Sequence, residues 1–287
     1  MRETDGMADI ALVLGAGGGT GGAWETGILH GLAEAGVDLS TADLVIGSSA
    51  GALVGAQLAS GLIGLPELYA RQLADPQGEV GGKLGTATLM RYARAVLTSR
   101  TPEAYGQKLA RMARETRTAL TAAERQELIA GRLPSPDWPE RQLRITAVHA
   151  DTGELHIFDK DSGIPLAGAV TASCAVPAVW PVATIDGQGW IDGGVYSPAN
   201  AHLAAGYERV VVIAPTVSGN KVIISPRSQA TDLEAKGARV AVITPDAAAK
   251  KALGRNSLDP SRRAAAARAG LAQSAAHTEA VAAVVGS

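Results

Sequence analysis

The sequence predicts an α/β fold, on three observations. Short runs of Val, Ile, Leu and Ala, each of strand length, recur along the chain. The first two are each followed by a small-residue turn and then by a helical pattern, the order expected of a sheet covered by helices. Of the 287 residues, 46% are apolar but only 3% aromatic, so aliphatic side chains must fill a sizeable core.

Ile10 to Leu14 (Ile-Ala-Leu-Val-Leu) reads as a strand buried on both faces. A glycine-rich turn from Gly15 to Gly22 leads into a helix over Ala23 to Ala35, with Trp24, Ile28, Leu29 and Leu32 at helical spacing and Gly36 as its stop. Asp43 to Ile46 is the second strand and Ala50 to Ser60 the second helix. From Pro66 to Pro139 the strand pattern vanishes and amphipathic helices replace it, which predicts a helical insertion. Strands resume at Leu143–His149 and Glu154–Phe158, followed by a short helix over Ala167–Cys174. Val182–Ile185 and Gly189–Ile191 flank Asp186-Gly187-Gln188, a hairpin signal. Arg209–Ala214 and Ala238–Thr244 read as two more buried strands, and Ala247–Leu253 and Pro260–Val285 as Ala-rich helices. With no repeat and no clean linker, residues 8–215 form the expected core, the insertion spans 66–139, and residues 216–287 complete the same domain.

A formal net charge of −2 argues against a general nucleic-acid binder. The single cysteine, Cys174, leaves no intramolecular disulfide and fits a reducing compartment. Met1 to Gly6 shows no positive stretch leading into a signal-peptide apolar run. No apolar run reaches the roughly 18–20 residues of a spanning helix. The expectation is a soluble, cytoplasmic protein without a transmembrane segment.

The centre of the chain's chemistry is Gly47-Ser48-Ser49-Ala50-Gly51, a G-x-S-x-G between the second strand and second helix. In that setting the serine sits on a strained turn that exposes its hydroxyl, and the helix that follows aims its N–H groups at developing charge. Ser49 is the candidate nucleophile. The flanking glycines are expected because a Cβ at either would strike a neighbouring strand or helix.

The glycine turn admits two readings. Gly17, Gly19 and Gly22 satisfy the dinucleotide pattern G-x-G-x-x-G, but that site needs an acidic residue at the end of the second strand. That strand ends in Gly47-Ser48-Ser49, and Asp43 lies at its start. The other reading is an oxyanion hole formed by the N–H groups of Gly17, Gly18 and Gly19.

A serine nucleophile needs a base. His202 and His277 follow Asp192 in order, so a Ser–Asp–His set is formally open, while His30, His149 and His156 fall within regular elements. Asp192 instead ends a strand-like run and precedes Gly193-Gly194. Cys174, flanked by small apolar residues, reads as a core residue. The interval Lys83–Arg117 holds eight basic and two acidic residues. It reads either as a solvated helical face or as a cap whose basic side meets an anionic lipid surface.

Taken together, these residues resemble the patatin-like phospholipase family. Gly17–Gly22 matches its glycine-rich oxyanion motif, Gly47–Gly51 its G-x-S-x-G, and Asp192-Gly193-Gly194 its aspartate motif. Ala23-Trp24, Gly27-Ile28-Leu29 and Ala172–Ala178 look familiar as connecting text. The resemblance covers about residues 8–60 and 140–215. It implies a patatin-like three-layer sandwich with a mostly parallel central sheet, and a Ser49–Asp192 dyad without histidine. It further implies a lipid or acyl-ester substrate, peripheral contact with a membrane surface, and no metal or organic cofactor. Gly21 departs from the pattern, since family members usually carry Arg or Lys there. The implied reaction is serine-dependent lipid acyl-ester hydrolysis. The alternatives are a Ser–His–Asp esterase using His202 or His277 and a non-catalytic nucleotide-binding module.

Overall fold

A computed structural model describes residues 10–76 and 80–286. The expectation about Met1–Gly6 lies outside the described residues.

Eight strands form one mixed sheet: β1 (Ile10–Leu14), β2 (Leu44–Ser48), β3 (Gln142–His149), β4 (Leu155–Phe158), β5 (Ala183–Ile185), β6 (Gln188–Asp192), β7 (Arg209–Ile213) and β8 (Arg239–Ile243). Five of them, in the order β3-β2-β1-β7-β8, are mutually parallel and build the centre. β4 and β6 run antiparallel to β3, and β5 closes a hairpin with β6. That hairpin turns through Asp186 and Gly187, both at positive φ (49° and 76°), as a two-residue turn matched to strand twist requires.

The strands alternate between two apolar layers. Leu12, Leu14, Val45, Val211 and Ile213 face the helices α1 (Gly18–Glu34), α2 (Ala50–Ala59), α7 (Leu166–Ser173), α9 (Ala247–Leu253) and α10 (Arg263–Ser274). Ala11, Val13, Leu44, Ile46, Val210 and Val212 face the segment around Ala199–Ala204 and Leu233 of α8 (Pro226–Glu234). Period-2 alternation in strands that are nonetheless apolar throughout is what a sheet covered on both faces demands. The result is a three-layer sandwich with a mostly parallel sheet.

The insertion consists of α3 (Leu65–Leu73), α4 (Thr86–Thr98), α5 (Pro102–Glu115) and α6 (Ala122–Ala130). Proline in the first turn starts α3, α5 and α8, and a Thr121–Glu124 capping box starts α6.

The structure corrects two boundaries and adds one helix. α1 begins at Gly18, so part of the glycine turn is already helical. The Ala-rich tail breaks at Ala275–His277 into α10 and α11 (Thr278–Val285). α8 was not foreseen, because its sequence, Pro-Arg-Ser-Gln-Ala-Thr-Asp-Leu-Glu, shows only two apolar anchors, Ala230 and Leu233. Among the described residues, no helix is long and apolar enough to cross a membrane.

Candidate active site

Ser49 follows β2 directly and caps α2, with φ 54° and ψ −116°. For a serine this is a strained backbone, held only where its surroundings over-determine it. Here they do. A Cβ on Gly51 would lie 2.2 Å from the Leu14 carbonyl oxygen at the end of β1, and one on Gly47 would lie 2.5 Å from Ala52 Cα at the start of α2. Only glycine at both places lets strand, turn and helix approach this closely. The Ser49 N–H donates to Ser173 Oγ (2.9 Å), and the Cys174 thiol donates to the Ser49 carbonyl (3.1 Å). Both ends of the Ser49 backbone are thus pinned by the last turn of α7.

Asp192 reaches Ser49 through the sheet register. β3 has two hydrogen-bonding edges, and β4 occupies one of them over Ile145–Val148. β2, paired to Gln142–Thr146, and β6, paired to Ala147–His149, must therefore share the other edge, end to end. Ser48 pairs with Thr146 and Asp192 with the next residue, Ala147. Asp192 is 5% exposed, as is Ser49. Its Oδ1 accepts from the Gly194 N–H at 2.8 Å, while Oδ2 is buried with no hydrogen bond of full geometry. Burial pushes its pKa up to about 6, opposed by the Ser49 hydroxyl, the Gly194 N–H and the charge of Arg125.

Beneath this pair lies a polar knot absent from the sequence reading. Asn200 Nδ2 donates to Ser48 Oγ (2.9 Å), Thr146 Oγ1 (3.3 Å) and the carbonyls of Gly193 (3.2 Å) and Ser197 (3.1 Å). Ser48 and Thr146 also share a hydroxyl bond of 2.7 Å. One buried amide thereby ties the serine strand, β3 and the aspartate loop together.

The glycine turn runs alongside. Gly15 and Ala16 N–H groups donate to Ile213 and Pro198, and those of Thr20 and Gly21 to Ser257 and Gly17. Among the described residues, no hydrogen bond engages the N–H groups of Gly17, Gly18, Gly19 or Ala50. Gly18, Gly19, Ser49 and Ala50 line one cavity of about 290 Å³, whereas Gly17 lies behind it as the N-cap of α1. Two helix N-termini, of α1 and α2, thus converge on the serine.

No histidine lines this cavity among the described residues. His202 Nδ1 meets Gln229 Nε2 at 2.9 Å, and His277 Nε2 meets Gln273 Nε2 at 3.1 Å. Both therefore sit on other parts of the fold. Asp43 accepts from the Ile10 N–H at 2.8 Å, at the opposite end of β2 from Ser49. Cys174 does line the cavity, but burial pushes its thiol up to about 12, so it remains protonated.

The basic residues between Lys83 and Arg117 do not line the cavity. Arg91 pairs with Glu115 (2.5 Å) and Arg114 with Asp151 (2.7 Å), and Lys108 donates to the Thr98 carbonyl. The positive charge at the cavity comes instead from Arg71, Arg125, Arg132 and Arg263, which composition counts could not distinguish from surface arginines.

By sequence, no curated protein matches this chain. Two solved structures show similarity over 95% of it. VipD from Legionella pneumophila is 13% identical with a TM-score of 0.46, and the type III effector protein ExoU is 17% identical with a TM-score of 0.42. This chain spans 66% of the first and 53% of the second. A family model described as patatin-like phospholipase matches residues 12–205, and the chain belongs to the patatin-like phospholipase family.

Proposed function

We propose that this chain hydrolyses acyl esters of lipids through a Ser49–Asp192 dyad. The observation that carries the reading is the end-to-end meeting of β2 and β6 on one edge of β3, which sets a strained serine against an unengaged carboxylate oxygen. Ser49 Oγ attacks the acyl carbonyl while Asp192 Oδ2 takes its proton. The carbonyl oxygen, now negative, meets the unengaged N–H groups of Gly18, Gly19 and Ala50, with Gly17 fixing the entry into α1. Asp192 returns the proton to the departing alcohol, and the acyl group remains on Ser49. Water then enters by the same path: Asp192 takes its proton as the hydroxide adds to the acyl carbonyl, then returns that proton to Ser49 Oγ as the Ser49–acyl bond breaks and the fatty acid leaves. A base with a pKa near 6 is ionised at neutral pH yet still basic enough to share a proton, which suits both halves of the cycle.

The backbone donors do not require a side chain at position 21. Gly21 packs against Pro215, and a Cβ there would stand 3.0 Å from the proline ring. A Ser–His–Asp arrangement finds no support at the cavity, where no described histidine stands. A nucleotide module lacks the acidic residue that would hold a ribose, since β2 ends in Ser48-Ser49.

Membrane contact belongs to the same reading. Thr86, Leu89, Met90, Ala93 and Leu97 fall within about 100° of arc on α4. Leu89, Met90 and Leu97 are 51%, 68% and 73% exposed. Arg94 borders this stripe, and Tyr92, turned away from it, donates to the Pro177 carbonyl, close to the cavity wall at Val176. An apolar stripe beside a cation suits the surface of an anionic bilayer.

Hydrolysis of a short-chain ester tests the dyad. Ser49→Ala and Asp192→Asn should each lower kcat/KM by about a thousandfold or more, while His202→Ala/His277→Ala stays within about tenfold. A folded but dead double-histidine variant would refute the dyad. Leu89→Ser/Met90→Ser/Leu97→Ser should reduce sedimentation with anionic vesicles and leave short-ester turnover intact.

A further inference from the structure

One guanidinium at the cavity that Ser49 lines has no ion-pair partner among the described residues. Arg125, on α6, places its guanidinium carbon over the Trp180 ring, 4.2 Å from the ring centre. Its Nε is buried without a hydrogen-bond partner, and among the described residues no carboxylate forms an ion pair with it. The described lining of the cavity contains four arginines and no aspartate or glutamate. Three of these are occupied: Arg71 pairs with Glu67 at 2.6 Å, Arg263 donates to the carbonyls of Arg71, Gln72 and Ala74, and Arg132 has a partner of its own. Arg125 is different, being partly desolvated, stacked and free at its donor edge.

A half-buried arginine is held at a cost in desolvation, and burial accordingly lowers its pKa. The charge of Arg132 lowers it further and that of Asp192 opposes the shift, so its head stands within electrostatic reach of Asp192 without an ion pair to it. The contact with Trp180 restrains the guanidinium, whose planar N–H groups form a fork suited to two oxygens of one anion. The apolar part of the cavity wall, including Leu53, Val54, Ile129 and Val176, offers an acyl chain its own place.

We propose that Arg125 is the anchor for an anionic, phosphate-bearing head on the acyl ester, and so selects charged over neutral esters. This rests on the acyl-hydrolase reading for its chemistry but on Arg125 and Trp180 alone for its recognition. The selecting residue belongs to the helical insertion, outside every motif that marks the serine and the aspartate.

The test compares monoacylglycerol phosphate with monoacylglycerol of the same acyl chain, both below their micelle concentrations. The parent protein should favour the phosphate ester by about tenfold to a hundredfold in kcat/KM, the range of one charge-assisted hydrogen bond. Arg125→Met, which keeps an aliphatic stem on Trp180, should erase that preference mainly through KM and leave the neutral ester within about threefold when measured at pH 8, well above the Asp192 pKa that Arg125 helps to lower. Equal use of both lipids by the parent, or an equal loss on both in the variant, would overturn the proposal. Calorimetry on Ser49→Ala gives a readout free of turnover: the phosphate lipid should bind, and Ser49→Ala/Arg125→Met should lose that binding. If that binding is seen but neither lipid is ever hydrolysed, the hydrolase reading fails and the anchor stands. Inorganic phosphate binding as tightly as the lipid would make this a free-anion site and overturn the head-group assignment.

Discussion

Ser49 and Asp192 meet because the strands that carry them share one edge of β3, Ser48 opposite Thr146 and Asp192 opposite Ala147. Their proximity is a property of sheet register, which a one-residue slip of either strand would destroy. The Asn200 amide, bonded to both strands' termini, resists that slip.

The first expectation concerns pH. Asp192 must be ionised to accept a proton, so kcat/KM should rise through about pH 6 and level off above it. Its folded-state pKa lies above its unfolded value, so folding loses stability as pH rises between the two, fully so above about 6. A carboxyl raised from the ordinary aspartate value to about 6 weakens the fold by about 3 kcal/mol once it is ionised. Asp192→Asn, which keeps an acceptor for the Gly194 N–H, should therefore be inactive yet more stable than the parent at pH 8. At pH 3 the two should unfold alike in urea.

Glu25 should behave similarly without touching catalysis. It is fully buried on α1, neither carboxylate oxygen has a hydrogen bond of full geometry, and burial, opposed by the Gly15 N–H, raises its pKa well above the ordinary carboxylate value. Glu25→Gln should stabilise the protein increasingly as pH rises above the carboxylate range, with little change in acidic solution. Thermal unfolding across pH reads this directly.

The glycines should separate fold from chemistry. Gly51→Ala drives a Cβ to 2.2 Å from the Leu14 carbonyl oxygen and should destabilise by about 3 kcal/mol or more. Gly18 has φ +60° and would put a Cβ 2.6 Å from the Ser257 oxygen. Gly18→Ala should shift the oxyanion donors and lower kcat by about a hundredfold. A Cβ on Gly19 meets nothing closer than 4.0 Å, so Gly19→Ala should stay within about tenfold.

Asn200 sits at φ 54° and ψ 34°, a conformation glycine adopts without strain. Asn200→Gly therefore removes the knot and spares the backbone. It should lower stability by about 1–3 kcal/mol and reduce kcat more than KM, since the two strand ends lose their common tie.

The sequence made the buried strands, the serine turn and the aspartate loop legible, because each carries a local physical requirement. Gly47 and Gly51 mark close approach, and Leu44–Ile46 marks a strand buried on both faces. The knot at Asn200 was not legible: an asparagine after Ser-Pro-Ala reads as a turn, and its partners lie up to 152 positions away. Arg125 was hidden for the opposite reason. It sits in a charged, weakly amphipathic helix, and only the packing of α6 against Trp180 separates it from solvated arginines. The basic interval from Lys83 to Arg117 carried a conspicuous charge excess, yet long-range partners such as Glu115 and Asp151 absorb part of it.

The central claim is that Ser49 is a nucleophile activated by Asp192. Labelling with a fluorophosphonate probe, followed by mapping of the modified peptide, tests it most directly. Modification is expected at Ser49 alone, at a rate that rises with pH through about 6 and falls by orders of magnitude in Asp192→Asn. Modification of another serine, or unchanged labelling of Ser49 in Asp192→Asn, would contradict it.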